Sequence, residues 1–340
     1  MVGNEQQEQL TPLLRLPPGP PPADGSRYKL TSPRGGATLA TRTWAPPTTR
    51  QIKAVVLLVH GGGWHSGYYG PLAKRLTAEG LFVAAYDQPG CGYSEVDPTA
   101  PNGHLHVLVP DDLVDEVYEA MDWALLEAAA VTGDRQSTSS IPFFLLGESL
   151  GGALVLMAAM EKATFRQRRI NLQGVIGLGT LLRAHADMLP PPLLVRFLVY
   201  LARYYPRLAL PATDYETTFD DYFGDPQWAQ VARSDPKICV SPKFTLGFAT
   251  ALLSSGDRLL QSAQSFPVPL LAIHGARDCR TQCSAVQEFV DKVGPEKAQL
   301  VQIDTNGHQL LQDVPDKTQV VIEKVALWIQ KRLSSPLPIS

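Results

Sequence analysis

The sequence predicts an α/β fold, with a mostly parallel central sheet, helices on both faces and an inserted helical cap. Short apolar runs rich in β-branched residues alternate with segments of helical periodicity along most of the 340 residues. This alternation is typical of a parallel sheet covered on both faces. The second observation is a break at 181–262, where prolines interrupt helical pieces and no buried strand is evident. Because a structureless loop of that length is improbable inside a compact domain, we predict a helical cap, or lid, there.

The chain begins with a segment, 1–26, that contains "TPLLRLPPGPPPADG". Proline at this density cannot donate backbone hydrogen bonds and resists the interior of both helices and sheets. This segment is therefore predicted to be an extended or disordered tail. The alternating stretch "ATLATRTW" at 37–44 follows and stops before two prolines, and we predict that it forms an edge strand.

The first part of the predicted core contains two buried strands with a helix between them. "KAVVLLVH" at 53–60 is a continuous apolar run that stops at three glycines. "YGPLAKRLTAEG" at 69–80 has helical spacing, and "LFVAAYD" at 81–87 is another buried strand. A strand–helix–strand unit of this kind makes parallel neighbours in a sheet. The stretch 111–131 is a long helix with an acidic first turn, where the helix dipole favours negative charge.

The second part of the core repeats the alternation on both sides of the inserted segment. Strands are predicted at "IPFFLLGES", "LQGVIGLGT", "VPLLAIHG" and "AQLVQID", and helices at "LGGALVLMAAMEKA", "SAVQEFVDKV" and "DKTQVVIEKVALWIQKRL". The domain prediction is a core made of 27–180 and 263–335, and a cap made of 181–262. The residues 181–262 are called the cap segment below.

Composition argues against several classes of function. The formal net charge is −3 without long runs of one sign, so we expect no nucleic-acid partner. Four cysteines in a chain of this length do not predict a disulfide framework. Cys279 and Cys283 lack a companion pair at zinc-finger spacing, and neither a metal nor a cofactor is predicted.

Location is predicted from two further features. No apolar window reaches the roughly 18 residues that a membrane-spanning helix needs. The first residues, "MVGNEQQEQL", are polar and acidic, whereas a secretory signal has a basic start and an apolar stretch. We therefore expect a cytoplasmic protein, with peripheral contact to membranes as a further expectation.

Ser149 is predicted to be a nucleophile on a sharp strand-to-helix turn. It lies in Gly-Glu-Ser-Leu-Gly, between the apolar run "FFLL" and an apolar helix, as a nucleophile elbow requires. Gly147 and Gly151 would permit the turn without Cβ clashes. The turn would place the hydroxyl near a helix N-terminus, where backbone N–H groups favour developing negative charge. The alternative is an ordinary strand-to-helix turn without chemistry.

A serine hydroxyl needs a histidine base that is oriented by a carboxylate, and in this architecture the chain order is serine, acid, histidine. Asp278 follows a buried strand in "LLAIHGARDCRT", and His308 follows the last strand in "VQIDTNGHQLL". Both lie at carboxyl ends of strands, where open α/β sheets gather their ligands. His274 precedes the acid, and His60 is interpreted as a brace for the glycine loop after it. Only His308, of the seven histidines, comes after the acid.

The glycine-rich stretch "VHGGGWHSGYYG" is predicted to form an oxyanion hole. It follows the buried strand at 53–60, and glycines let backbone N–H groups point at a substrate oxygen. The expected donors are the N–H groups of Gly62 and of Leu150, the residue after the nucleophile. The alternative interpretation is a simple flexible turn.

With these motifs the sequence resembles the α/β-hydrolase superfamily, and within it the monoacylglycerol lipase and lysophospholipase-like group of serine aminopeptidase S33 type. The resemblance covers about residues 30–333. "HGGGWHSGYYGPLAKRL" is similar to that group's oxyanion loop and following helix, and "AYDQPGCGYSE" to its Asp-x-x-Gly-x-Gly-x-Ser turn. "GESLGG" is similar to its nucleophile elbow, and "IHGARDCRT" and "NGHQLL" to its acid and base loops.

The resemblance implies a serine hydrolase of the α/β-hydrolase fold that cleaves carboxylic esters of lipids. Ser149, Asp278 and His308 would form the catalytic triad, with Gly62 and Leu150 as oxyanion donors. The implied substrate is monoacylglycerol or lysophospholipid, and the implied intermediate is an acyl-enzyme on the serine. No metal or cofactor is implied.

Three alternatives to a lipid esterase stay open at this point. The first is a small-molecule carboxylesterase or acyltransferase, and the second is an S33-type aminopeptidase. The acidic stretch "TDYETTFDDYFGD" leaves the second open because a subset of its carboxylates could bind a free amine, or equally a choline head. Solvated loop acids are the more common explanation of such a stretch. The third is a non-catalytic ligand receptor that keeps the fold.

The most apolar part of the cap segment is "MLPPPLLVRFLVYLARYYPRLALP". On a single helix, one face would carry Arg196, Arg203 and Arg207. Another face would carry Leu194, Leu198, Leu201 and Tyr205. An apolar face beside basic residues predicts transient contact with a membrane surface near the three leucines. The alternative is a helix that packs on the cap's own core.

Overall fold

The chain was analysed as a computed structural model, which describes 26–31, 38–47, 52–95, 110–133, 140–210, 219–239 and 244–335. The described strands are β1 Ser26–Thr31, β2 Thr38–Trp44, β3 Ala54–Val59, β4 Leu81–Tyr86, β5 Pro142–Glu148, β6 Asn171–Leu178, β7 Leu270–Gly275 and β8 Ala298–Ile303. The described α-helices are α1 Gly70–Ala78, α2 Pro110–Thr132, α3 Leu150–Met160, α4 Lys162–Arg168, α5 Pro192–Ala202, α6 Pro226–Ser234, α7 Leu246–Ser262, α8 Cys283–Val293 and α9 Pro315–Ser334.

The strands form one sheet in the order β1-β2-β4-β3-β5-β6-β7-β8. The six strands from β4 to β8 along this order are parallel neighbours, while β1 and β2 are antiparallel to theirs. The sheet is therefore mostly parallel, as predicted. The chain leaves β3 toward one edge and β5 toward the other, so a crevice forms at their carboxyl ends, where open α/β sheets bind ligands.

Helices cover both faces of the sheet because its central strands are apolar on both sides. In β3 every residue is buried, and Val55, Leu57 and Val59 belong to one hydrophobic cluster. The intervening residues of β3 belong to the cluster on the opposite face. Helices α2, α3 and α8 contribute to the first cluster, and α1 and α9 to the second. Burying one Val or Leu side chain contributes about 1.5–3 kcal/mol, so this double burial is a main stabilising term of the fold.

The prediction that 37–44 forms an edge strand is wrong. The strand itself is present as β2, but it lies between β1 and β4 in the sheet. The outer position belongs to β1, which pairs antiparallel with β2 over the whole of Ser26–Thr31. Its sequence, "SRYKLT", is mostly polar, so it carries none of the apolar signal that identified the other strands. Apart from Ser26, the predicted tail lies outside the described residues.

The described part of the cap segment is largely helical, and its long helix α7 packs against α2, α3 and α8. Helix α5 packs on α7 and ends at Ala202. The predicted single helix with Arg203 and Arg207 on one face is therefore wrong, because both arginines lie beyond the end of α5. The division of the chain into core and cap at the predicted boundaries stays a prediction.

The outer face of α5 also differs from the predicted apolar face. Leu194 is exposed, but Leu198 and Leu201 are half-buried. The most exposed apolar side chains of α5 are instead Leu193 at 78% and Phe197 at 57%. None of the described helices combines the length and the apolar character needed to cross a membrane.

Candidate active site

Ser149 lies on a strained turn between β5 and α3. Its φ of 53° is in the left-handed region that residues with a Cβ rarely adopt, and such strain is concentrated at functional sites. The turn is held on both sides of the residue. Its N–H donates to the Leu178 carbonyl at 2.9 Å, and its own carbonyl accepts from Leu181 N–H at 3.0 Å. Ser149 is also the N-cap of α3 without using its hydroxyl as a cap, so that hydroxyl is left for chemistry.

The two glycines of the motif are required by close packing. A Cβ on Gly147 would overlap the backbone of Gly151, and a Cβ on Gly151 would overlap the carbonyl oxygen of Val59 in β3. Gly61 also lies against the serine, since a Cβ there would come within 3.2 Å of Ser149 Cβ. The expectation that glycines make this turn sterically possible is thus confirmed.

Asp278 lies in the loop after β7, and its two carboxylate oxygens have different partners. Oδ1 accepts from the backbone N–H groups of Arg280 at 2.7 Å and Thr281 at 3.0 Å. Oδ2 accepts from His308 Nδ1–H at 2.7 Å and from the Thr281 hydroxyl at 3.0 Å. With four donors, the carboxylate is held in one orientation toward the histidine.

His308 follows β8 and is anchored through its backbone as well as its ring. Its N–H and that of Gln309 donate to the Tyr222 carbonyl, at 2.8 and 2.9 Å. The ring is 5.9 Å from the Tyr222 ring, centroid to centroid, in an edge-on arrangement. Because Asp278 accepts from Nδ1–H, the ring's Nε2 is the nitrogen available as a base.

The electrostatics of this pair favour a basic histidine. Burial is the largest influence on His308 and lowers its pKa, but Asp278, by charge and hydrogen bond, and Glu148, by charge, together raise the pKa above its usual value. For Asp278, burial raises the pKa, yet His308 and further donors outweigh it, so the pKa lies well below its usual range. The aspartate is therefore ionised wherever the histidine titrates.

A second histidine contacts the same carboxylate. His274 Nε2 lies 3.4 Å from Asp278 Oδ2, and its ring nitrogen also meets the Thr281 hydroxyl at 3.2 Å. Burial lowers the pKa of His274 although Asp278 opposes this. A buried neutral imidazole supports the orientation of the aspartate without competing for the role of base.

Ser149 and His308 line one cavity of about 200 Å³. Among the described residues no hydrogen bond joins the serine hydroxyl to the histidine, and catalytic hydrogen bonds are often long before a substrate binds. The polar end of the cavity also includes Arg280 and Thr281. The apolar wall comes from the cap segment and consists mainly of Leu181, Met188, Leu189, Phe244, Phe248 and Leu252.

The two residues predicted as oxyanion donors both line the cavity. Gly62, after β3, and Leu150, the first residue of α3, line the cavity together with Ser149. The loop that carries Gly62 is braced by His60, whose Nδ1–H donates to the Gly61 carbonyl at 2.7 Å and whose Nε2 accepts from Gln88 N–H at 2.8 Å. Burial lowers the pKa of His60 to about 4, so a neutral ring performs this bracing, as the sequence suggested.

Glu148 is a residue of this region to which the sequence analysis gave no role. It precedes Ser149, is fully buried, and accepts a hydrogen bond from the Tyr69 hydroxyl at 2.7 Å. Burial raises its pKa to about 7, against opposing effects of Tyr69 and His308. The signal that could have revealed it is a carboxylate at the end of an otherwise apolar, buried strand, because such a group is costly unless it is bonded.

The acidic stretch of the cap segment contributes little to the cavity in the described part of the chain. Asp220 forms an ion pair with Arg233 at 3.0 Å, and Asp225 caps α6 by accepting from Gln227 N–H at 2.9 Å. Asp221 is exposed, and the remaining two acidic residues of the stretch, Asp214 and Glu216, lie outside the described residues. Among the described residues that line the cavity, none is Asp or Glu.

The chain is similar to known proteins over most of its length. A family model described as serine aminopeptidase, S33, matches residues 50–315. The chain is 26% identical over 310 residues to monoglyceride lipase from Homo sapiens, covering 88% of this chain and 89% of that protein. It is 26% identical over 299 residues to monoacylglycerol lipase from Mycolicibacterium smegmatis, covering 88% of this chain and 95% of that one.

A solved structure is similar over nearly the whole chain. It is a soluble variant of monoglyceride lipase from Saccharomyces cerevisiae, with a TM-score of 0.73 and 18% identity. The match covers 94% of this chain and 98% of that protein. This likeness confirms the predicted fold class.

Proposed function

Because the chain belongs to the serine aminopeptidase S33 family of α/β-hydrolases and is a carboxylic ester hydrolase, we propose that it cleaves lipid esters through an acyl-enzyme on Ser149. The preferred substrates are monoacylglycerol and lysophospholipid. One observation carries this proposal. Ser149 and His308, which is bonded to Asp278, line a cavity whose other lining residues are mainly apolar side chains of the cap segment, so an acyl chain can be buried there while its ester lies beside the serine.

The reaction follows from the roles that these side chains can take. Ser149 Oγ attacks the ester carbonyl while His308 Nε2 takes its proton, and Asp278 stabilises the imidazolium that forms. The N–H groups of Gly62 and Leu150 donate to the oxyanion. His308 then gives the proton to the leaving alcohol, and water hydrolyses the acyl-enzyme with the same base. Each step uses only groups of this chain.

The lining of the cavity favours a lipid ester over an aminoacyl substrate. A free amine would need a carboxylate partner in the site, and the described lining contains none. The apolar residues Met188, Phe244 and Leu252 instead suit a hydrocarbon chain, since burying one methylene contributes about 0.8 kcal/mol. In this proposal the core, 27–180 and 263–335, supplies the polar groups of the site, and the cap segment supplies the apolar wall that binds the acyl chain.

Helix α5 is proposed to bring the cap segment into transient contact with a lipid surface. Leu193, Phe197 and Tyr200 are more than half exposed on α5, with a spacing that places them on one side of a helix. Exposed arginines accompany them at 196, 203 and 207, where they can meet anionic headgroups. Access to membrane-derived substrate would follow from this contact.

The first experiment is an ester panel on the wild type, on Ser149→Ala and on a matched control, Ser265→Ala. Ser265 follows α7, and its hydroxyl donates to the Ser262 carbonyl at 2.7 Å. The panel contains monoacylglycerols of several chain lengths, a lysophospholipid, a short aryl ester and an aminoacyl arylamide. We expect long-chain ester turnover that falls about 10⁴–10⁶-fold in Ser149→Ala and is unchanged in the control.

The other outcomes separate the alternatives. Turnover of the aryl ester alone would keep the nucleophile and reject the lipid substrate. Release of the arylamide would identify a peptidase. Labelling of Ser149 by a fluorophosphonate without turnover of any ester would favour a ligand receptor. A Ser149→Ala protein that retains a tenth of the wild-type rate would rule out this serine as the nucleophile.

A further inference from the structure

A buried carboxylate beside the nucleophile has no part in the proposed mechanism. Glu148 is the last residue of β5, its side chain has no exposed surface, and the Tyr69 hydroxyl donates to its Oε2 at 2.7 Å. Tyr69 lies immediately before α1, on the segment that follows the oxyanion loop. The carboxylate therefore connects the nucleophile elbow to that segment.

The same carboxylate also reaches the loop of the catalytic histidine. With the Gln309 amide oriented so that its nitrogen faces Glu148, this nitrogen donates to Oε1 at 3.0 Å and to Oε2 at 2.9 Å. Gln309 is the neighbour of His308, and the backbone N–H groups of both donate to the Tyr222 carbonyl. One carboxylate is thus bonded to groups from two loops that the reaction must keep aligned with Ser149.

The charge of Glu148 faces a small set of titratable groups. On the α1 side, Glu148 interacts with Tyr69, and Tyr69 in turn interacts with the charge of Asp87. From the base loop it faces His308. His308 in turn faces Asp278 and Arg280. Glu148 and Asp278 are the two negative charges that favour the His308 imidazolium, and Arg280 is the positive charge that opposes it.

We propose that Glu148 is a positioning residue whose bonds to Tyr69 and Gln309 hold the oxyanion and base loops at the elbow, and whose negative charge stabilises the His308 imidazolium. The inference rests on the proposed function in that it needs His308 to be the base. It goes beyond that function because it assigns a role to a group that does not touch the substrate.

The ionisation of Glu148 gives this role a pH signature. Burial raises its pKa to about 7, while Tyr69 and His308 oppose the shift. The ionised carboxylate raises the pKa of His308. Removing the charge should therefore lower the pKa of His308 and weaken the imidazolium that forms during the reaction. An opposite charge nearby shifts a pKa by about one unit or more, which is about tenfold in stabilisation.

The test is the rate at which a fluorophosphonate phosphonylates Ser149, measured from pH 5 to pH 9, together with ester hydrolysis. In Glu148→Gln the shape is kept and the charge is lost. We expect the high-pH rate and kcat to fall about tenfold with KM little changed, and the acidic limb to move about one pH unit lower. A purely structural role would lower the rate at every pH without moving the limb.

Tyr69→Phe gives a second, opposite expectation. It keeps the charge but removes the hydrogen bond that lowers the pKa of Glu148, so the carboxylate ionises at higher pH. The acidic limb should then move to higher pH, while the rate at pH 9, where the carboxylate is ionised in both proteins, should fall less than it does in Glu148→Gln because only one loop bond is lost. If the acidic limbs of the two variants move in the same direction, or if neither limb moves, the proposal is overturned. This holds even if one of the variants folds poorly, because the position of a limb does not depend on the amount of active protein.

Asp304→Asn is the matched control, since Asp304 follows β8 at the same edge of the sheet but its side chain is 86% exposed. The acidic limb of the pH profile of Asp304→Asn should coincide with that of the wild type. A wild type that is labelled but hydrolyses no lipid ester contradicts the proposed substrate alone, and the labelling profiles still decide the inference. A wild type that is not labelled contradicts both.

Discussion

At the scale of single residues, the site depends on how Asp278 and His308 alter each other's ionisation. The pair is buried and joined by a 2.7 Å hydrogen bond, and the pKa of His308 is raised while that of Asp278 is lowered. The raised pKa of His308 and the lowered pKa of Asp278 both favour the charged form of the side chain, so the two groups can form an ion pair. The neutral base therefore exists only above the raised pKa of His308, while the aspartate is charged throughout.

The pH dependence of the reaction follows from these directions. Ester hydrolysis, as kcat/KM, should rise with pH through the pKa of His308, with a midpoint above the usual histidine value of about 6.5. The rise occurs because only the deprotonated imidazole can accept the serine proton. A profile that is flat between pH 5 and pH 8 would contradict His308 as the base.

Asp278→Asn should remove both the charge and the orientation of the base. We expect kcat to fall by about 10⁴-fold, since a histidine in the wrong tautomer cannot take the serine proton, and the acidic limb to move to lower pH. Asp220→Asn is the control, because that carboxylate pairs with Arg233. Retention of more than a tenth of the activity in Asp278→Asn would show that another residue orients the histidine.

At the scale of elements, the elbow between β5 and α3 requires that two backbones approach closely. Gly151→Ala would drive a Cβ into the Val59 and His60 carbonyls, and overpacking of this kind costs about 1–3 kcal/mol. We expect a lower free energy of unfolding and a loss of activity of about tenfold or more, because Leu150 N–H would be displaced.

The comparison for Gly151→Ala is Gly133→Ala. Gly133 has a φ of 74°, and among the described residues no atom lies within 4 Å of its Cβ position, so the expected cost is backbone strain of about 1–2 kcal/mol. Both variants should lose stability in urea denaturation, but only Gly151→Ala should lose activity. Equal activity loss in the two would argue against a steric role for the elbow glycine.

The exposed face of α5 makes a second prediction at this scale. Leu193→Ser with Phe197→Ser should weaken cosedimentation with anionic vesicles about thirtyfold, since the two side chains each contribute roughly 1 kcal/mol on partial burial. Hydrolysis of a monomeric short-chain ester should not change. Leu327→Ser, on α9 and 56% exposed, is the control. Vesicle binding unaffected by the double substitution would place the lipid contact elsewhere.

At the scale of the whole molecule, Glu148 should reduce stability in exchange for function. Its pKa is raised from 4.5 to about 7 in the folded state, so the ionised carboxylate is disfavoured by folding. This cost is absent below the unfolded-state pKa and grows as pH rises from that value to about 7. At higher pH it stays at about 3 kcal/mol. Active sites often carry such a cost.

Glu148→Gln should therefore be more stable than the wild type at pH 8, by up to about 3 kcal/mol, and nearly equal to it at pH 4. The measurement is the free energy of unfolding in urea at both pH values. Asp304→Asn, with its exposed side chain, should show no comparable gain. If the Gln variant is the less stable protein at pH 8, burial of the charge is not costly and the raised pKa of Glu148 is wrong.

The sequence by itself determined the elements whose signal is local. The strands β3 to β8 are apolar runs, their alternation with helices implies a parallel sheet, and the serine, acid and histidine candidates stand at strand ends. The structure brings Asp278 to His308 and places Ser149 on the same cavity. These features could be predicted because periodicity reports burial and because parallel strands end at a common edge.

Only the tertiary structure decided the features that depend on partners distant in sequence. The polar strand β1 occupies the edge position because it pairs with β2. No local sequence pattern predicts this pairing. The outward face of α5 is set by its packing on α7, which buries Leu198 and Leu201 in part. Glu148 meets Tyr69, 79 positions away, and such contacts follow from packing. Local sequence specifies how apolar a face is, but the choice of neighbour is made by the whole fold.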